Sequence, residues 1–79
     1  MATITLKDPV TVAGQEYKEL TMRAPKVRDM LAASKGGKND AEQELALFAN
    51  LCEVAPDVIL ELDMADYVKM QGMYKGFLS

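Results

Sequence analysis

The first 22 residues alternate between apolar and polar positions, which is the pattern of a β-strand with one buried face. Between residues 3 and 12 the apolar side chains fall at even positions, at Ile4, Leu6, Val10 and Val12. Pro9 interrupts the pattern, and because proline donates no ladder hydrogen bond, the strand is bent there, lies at a sheet edge, or is two short strands. The segment AGQE predicts a turn around Gly14, and Leu20 and Met22 then share one side of a second strand. The sequence therefore predicts a β-hairpin over residues 3–23.

Four helical segments follow the hairpin, and their predicted bounds are 25–35, 40–53, 56–62 and 64–78. Pro25 and Pro56 suit the first turn of a helix because their missing N–H groups would be unpaired there anyway. A capping box can start the second helix, from Asn39 or Asp40 to a Glu or Gln three residues later. Asp63 is placed to cap the fourth helix.

The hairpin needs a cover, because two strands alone are marginally stable in water. A chain of 79 residues has enough apolar material for one core only. Its 49% hydrophobic and 27% charged content is that of an ordinary globular chain. We therefore predict a single α+β domain over residues 1–79, in which an N-terminal β-hairpin packs against three to four short α-helices.

The first two helices carry most of the predicted helical core. In the first helix one side is formed by Val27, Met30, Leu31 and Ser34. We expect Met30, like Met22 in the hairpin, to fill space in the core. The second helix is apolar over more than half its circumference, so neighbours are expected on two sides. Its stripes are Ala41, Leu45, Phe48, Ala49 and Cys52 on one side and Leu47, Leu51 and Val54 on the other.

The last helix is intrinsically weak, because each of its two interior glycines costs about 1 kcal/mol relative to alanine. One side of this helix gathers Tyr67, Met70, Tyr74, Phe77 and Leu78, and the opposite side carries Ala65, Gly72 and Gly76. Methionine side chains repack easily against varied surfaces, so those near its end are candidates for contact with another protein. The second stripe of the preceding long helix is either core or part of the same contact surface. The candidate partner-binding residues are therefore Leu47, Leu51, Val54, Met70, Met73 and Phe77.

Charge and composition argue against several classes of function. The net charge is −3 and the nine Lys and Arg residues are scattered along the chain, so nucleic acid is not an expected partner. No stretch is long and uncharged enough for a membrane span, and no signal peptide is apparent, so we expect a cytoplasmic protein. With no histidine and one cysteine, Cys52, which we expect to be buried and inert, neither an enzyme nor a metal or cofactor site is predicted.

Three strings, in this order along the chain, resemble one protein family: LKDPVTVAGQEYKELTMRAPKVRDMLAA, DAEQELALFANLC and LDMADYVKMQGMYKGFL. The family is the phage tail assembly chaperones of Mu-like and P2-like contractile-tailed phages and related prophages. No single string is a catalytic signature, so the resemblance depends on their order over nearly the whole chain. Ala13 stands where the family has an Asp before the turn glycine, which affects only the turn type.

The resemblance implies a non-enzymatic assembly factor in the cytoplasm of the infected host. Such a protein would bind the aggregation-prone tape measure protein, help bring tail tube subunits to it, and be absent from the mature virion. A longer, frameshifted form of the same chain is a further implied partner. The alternative is a small structural tail or baseplate protein retained in the virion. A homo-oligomer is compatible with the open strand edge at residues 3–7 and with the small-residue side of the last helix, although a monomer fits both features as well.

Overall fold

A two-stranded antiparallel sheet is followed by four helices in the computed structural model, which describes all residues, 1–79. The strands are β1 (Ala2–Val12) and β2 (Gln15–Met22), and the helices are α1 (Val27–Ser34), α2 (Asp40–Cys52), α3 (Pro56–Leu60) and α4 (Met64–Phe77). This confirms the predicted α+β fold. Helix α1 begins two residues after Pro25, and the other helices begin where the sequence predicts.

The core lies between the inner face of the hairpin and helices α2, α3 and α4. The predicted even positions of β1 point inward, and Leu20 and Met22 are buried on β2. From α2, Phe48 is fully buried, with its ring centroid 5.6 Å from those of both Tyr67 and Tyr74. Both stripes of α2 are used, because α1, α3 and β2 all pack against this helix. Leu78, expected on the packed side of α4, is instead 63% exposed because it follows the last helical residue.

Pro9 lies in a large bulge of a single bent strand. Thr5 pairs with Glu19, but the next pair is Val10 with Tyr17, so residues 6–9 lie opposite one residue of β2. The bulge frees the backbone N–H of Lys7 from the ladder, and it donates to Asp66 Oδ2 of α4 at 2.9 Å. Proline in β1 thereby gives the hairpin an attachment point for the last helix.

Helices α2 and α4 begin with the predicted capping residues, whereas the N-cap of α1 is Lys26 and Pro25 precedes the helix. Asn39 N–H donates to Glu42 Oε1 at 3.0 Å and Glu42 N–H donates to Asn39 Oδ1 at 2.8 Å, which is a complete capping box. Asp63 accepts from the Ala65 N–H at 2.8 Å at the start of α4. Glu53, at φ 57°, ends α2 in the left-handed conformation.

The hairpin turn consists of Ala13 and Gly14, which have φ angles of 52° and 79°. Positive φ at both central residues is the type I′ geometry that matches the twist of the strands. Glycine adopts this region freely, whereas the Cβ atom of alanine makes it costly, by about 1 kcal/mol or more.

The Ala13→Asn variant is expected to be more stable than the natural chain by about 0.5–1 kcal/mol, because asparagine tolerates the left-handed region better than alanine. Urea unfolding followed by circular dichroism measures the difference. Ala24→Asn is the matched control, since Ala24 is also exposed but does not have a positive φ. Equal effects of the two substitutions would contradict a role of turn geometry.

Candidate functional site

The six candidate partner-binding residues divide into two groups in the structure. Leu47, Leu51 and Met70 are buried and belong to the core. The carbonyl of Leu51 also accepts from the Arg23 N–H at 3.0 Å, which joins the end of β2 to α2. Val54, Met73 and Phe77 are partly buried and pack against the core. Contact with a partner stays a prediction for all six residues, and these last three are the more accessible ones.

The polar side chains that could carry out chemistry, Glu44, Tyr67 and Cys52, are hydrogen-bonded between helices or buried in the core. Glu44 Oε1 accepts from the Tyr67 hydroxyl at 2.6 Å and from Gln71 Nε2 at 2.9 Å, which ties α2 to α4. Burial, and secondarily Glu44, raises the pKa of Tyr67 above its usual value. Cys52 is buried as expected, and burial raises the pKa of its thiol to about 11. A thiol with so high a pKa is a poor nucleophile at neutral pH.

Helix α1 is oriented by an ion pair. Asp29 is 5% exposed and accepts from Arg23 through Nη1 at 2.9 Å and Nη2 at 2.7 Å. Its Oδ2 also accepts from the backbone N–H of Lys26 at 2.8 Å. Ala33, one turn further on, is buried on the same side. The inward side of α1 is therefore set by a bidentate pair of charged groups.

The predicted burial of Met30 is consequently wrong. Once Asp29 and Ala33 point inward, the opposite side of α1 points to solvent, and Met30 is 56% exposed. Val27 and Leu31 are more than half exposed as well. We call these three residues, Val27, Met30 and Leu31, the α1 face. The apolar residues share one side of α1, as the pattern predicts, but the Arg23–Asp29 pair places the other side of the helix against the core.

The Arg23–Asp29 ion pair makes the unfolding free energy depend on pH in the acidic range. The Arg23 side chain and then the Lys26 N–H lower the pKa of Asp29 from 3.8 to about 2. Because the pKa is lower in the folded state, the stabilisation is full above about pH 4 and is lost as the pH falls towards 2. The natural chain is thus expected to exceed Asp29→Asn in unfolding free energy at neutral pH, with the gap closing near pH 2. Urea unfolding between pH 7 and pH 2 measures the unfolding free energy of both proteins. A difference that does not change with pH would contradict stabilisation by the charged Asp29 side chain.

A second exposed apolar surface lies where α2, α3 and α4 meet. We call it the apolar groove, and it is lined by Leu45, Ile59, Leu60, Leu62, Met64 and Tyr67. All six lining residues are apolar or aromatic, and Leu60 and Met64 are 62% and 69% exposed. An adjoining cleft shares Leu45 and Leu60, and its other lining residues are Ala46, Pro56 and the charged Lys38 and Glu42. The sequence does not predict this groove, because its lining residues come from α2, α3 and α4 and meet only in the folded chain.

The two surfaces lie in segments of the chain that differ in net charge, although the basic residues were expected to be scattered. Five of the nine basic residues fall within residues 23–38, the segment that contains α1. Residues 39–68, which contain the groove, have no lysine or arginine. Their acidic residues are Asp40, Glu42, Glu44, Glu53, Asp57, Glu61, Asp63 and Asp66. Counting charges by segment along the sequence would have shown this separation.

Two exposed apolar surfaces on a small domain are typical of a protein-binding module. The chain belongs to the family described as phage tail assembly chaperone proteins, E, or 41 or 14, whose family model matches residues 3–79. This confirms the resemblance noted in the sequence. Comparison with curated proteins gave no match, and comparison with solved structures gave none. None of the helices has the length and apolar character required to span a membrane.

Family membership implies a non-catalytic role in tail assembly, and interaction with tail proteins. The fold provides surfaces for such interactions at the α1 face and at the apolar groove. Both depend on tertiary packing, since each contains residues that a helical pattern alone would place in the core.

Proposed function

We propose that the chain binds an apolar helical segment of the tape measure protein, keeps that protein soluble during tail assembly, and helps to recruit tail tube subunits. The observation that carries this proposal is the apolar groove, which leaves Leu60 and Met64 more than half exposed in a member of a tail chaperone family. Exposed apolar clusters on small soluble domains mark sites of contact with other proteins.

The groove suits a helical partner. It runs between three helices, and an amphipathic helix can lay its apolar side into a cleft of this kind. The unbranched thioether of Met64 can repack against partner side chains of different shape, which a client with many similar segments requires. Partly buried Val54, Met73 and Phe77 remain proposed additional contacts outside the groove.

Many weak contacts fit the role better than a few strong ones. A long tape measure protein offers many segments, so copies bound along it gain from multivalency even when each contact is weak. Weak individual contacts also allow the chaperone to leave, as its proposed absence from the mature virion requires. The net charge of −3 on each copy would help to keep the coated complex soluble in the host cytoplasm.

Co-expression with the tape measure protein encoded in the same phage tests the proposal. We expect the tape measure protein to be soluble and to co-purify with this chain, and to become insoluble with the Leu60→Asp variant. Leu78→Asp is the matched control, because Leu78 has nearly the same exposure, 63% against 62%, but lies outside the groove. Circular dichroism of both variants tests whether they remain folded, as expected for substitutions at exposed positions.

Three outcomes would contradict parts of the proposal. If the tape measure protein stays insoluble with the natural chain, the proposed chaperone function is wrong. If Leu60→Asp and Leu78→Asp lower its solubility equally, the groove is not the binding site. Detection of this chain by mass spectrometry in purified particles would favour the alternative, a structural tail or baseplate component. Capture of the tail tube protein by the soluble complex, but not by the tape measure protein alone, tests the recruitment step.

A further inference from the structure

The α1 face and the apolar groove are complementary in charge as well as in apolar character. Lys26, Arg28 and Lys35 on and beside α1 are exposed, and none of them is in an ion pair. On α3, which contributes Ile59 and Leu60 to the groove, Asp57 lies three residues before Leu60 and Glu61 directly follows it; both are exposed and form no ion pair. The basic residues beside α1 and the acidic residues of α3 are therefore unpaired charges of opposite sign, each next to exposed apolar side chains, and Lys38 is the basic residue at the cleft that adjoins the groove.

We propose that the α1 face of one copy docks into the apolar groove of a second copy. Leu31 and its neighbours in α1 would contact the exposed Leu60 and Met64, while the basic residues beside α1 approach the acidic residues of α3. Opposite charges around an apolar contact fix its orientation and exclude like-charged pairings, so α1 to α1 and groove to groove contacts are disfavoured. The interface is therefore heterologous, made from two different surfaces of the same chain.

The size of the surfaces predicts weak association. Helix α1 has eight residues and is about 12 Å long, whereas a standard stable interface buries about 800 Å² on each partner. The contact is smaller than that, so it forms at high local concentration and dissociates readily. Its charged component is exposed to solvent, so added salt must weaken it.

Sedimentation analysis of the purified chain alone tests the proposal, so its outcome does not depend on any tail protein or on the proposed function. The natural chain should associate as its concentration rises, severalfold more weakly in high salt than in low salt. Leu31→Asp and Leu60→Asp should each weaken association about tenfold or more, as loss of a central apolar contact does. Leu78→Asp should associate like the natural chain.

Mixing the two defective variants distinguishes this interface from others. Leu31→Asp retains an intact groove and Leu60→Asp retains an intact α1 face, so the mixture should form heterodimers at concentrations at which each variant alone is monomeric. Both substitutions are at exposed positions, and circular dichroism establishes that the variants are folded. A monomeric natural chain at all concentrations, association that salt or either substitution leaves unchanged, or a mixture that stays monomeric would overturn the proposal.

Discussion

The Leu51→Asp variant is expected to be unfolded at neutral pH. Leu51 is 1% exposed, so the substitution loses the burial of a leucine, about 2–5 kcal/mol, and adds the cost of an unpaired buried carboxylate, several kcal/mol more. A domain of 79 residues has a total stability of about 4–12 kcal/mol, and small domains lie at the lower end. The combined loss is as large as the whole stability. Far-UV circular dichroism and the dispersion of NMR amide signals measure the result.

Leu60→Asp is the control for this prediction, because it makes the same chemical change at an exposed site. It should leave the fold intact, since its carboxylate remains in water. A folded Leu51→Asp chain that has lost only partner binding would show that Leu51 belongs to a contact surface, contrary to its burial in the structure. The pair of variants thereby separates the core of α2 from the surface of α3.

Asp66→Ala is expected to lower the unfolding free energy by about 2 kcal/mol, the cost of losing a hydrogen bond to a charged group. Asp66 is 1% exposed, and its Oδ2 accepts from the Lys7 N–H in the β1 bulge. Its Oδ1 has no hydrogen-bond partner, and the nearest cation is Lys69 Nζ at 3.9 Å. The carboxylate thus holds α4 against the bulged strand. Urea unfolding measures the loss.

Asp66→Asn provides the comparison, because its amide oxygen can still accept from Lys7. It should retain more stability than Asp66→Ala, and amide exchange at Lys7 should be faster in the alanine variant only. Equal stability of the natural chain and Asp66→Ala would mean that the orphaned Oδ1 costs as much as the Lys7 hydrogen bond contributes. The attachment of α4 would then rest on apolar packing alone.

The proposed function and the proposed self-association share one surface. If both hold, α1 of a neighbouring copy occupies the apolar groove until a tape measure segment displaces it. Mutual coverage of apolar surface would then limit aggregation of the chaperone before its client is made. The tape measure segment and the second copy would compete, so adding an excess of Leu60→Asp chain, with its intact α1 face, should reduce client binding by the natural chain.

Much of the fold could be predicted because its signals are local. The alternation in β1 and β2, the capping box at Asn39, and Pro56 at the start of α3 each depend on a few neighbouring residues. The two apolar stripes of α2 correctly predicted neighbours on two sides. Of the three open interpretations of Pro9, a bent strand and an edge strand both hold, because β1 is one bulged strand of a two-stranded sheet, and only the pairing of β1 with β2 showed that it is not two short strands.

The surfaces were harder to predict because a helical pattern shows which residues share a side but not which side faces the core. On α1 the Arg23–Asp29 pair turned an apolar side outward. On α2 the candidates Leu47 and Leu51 were placed under other elements. The family could be recognised from the order of strings along the chain, whereas the location of a binding surface could not.

The sequence by itself determined the element order, the caps and turns, the single core and the family, because each depends on residue types at short spacing or on linear order. The tertiary structure alone decided that Met30 is exposed, that Leu51 and Met70 are buried, and that Leu45, Leu60 and Met64 meet in one groove. These outcomes depend on long-range contacts, such as those of Arg23 with Leu51 and of Lys7 with Asp66, which fix how each helix is rotated against the hairpin.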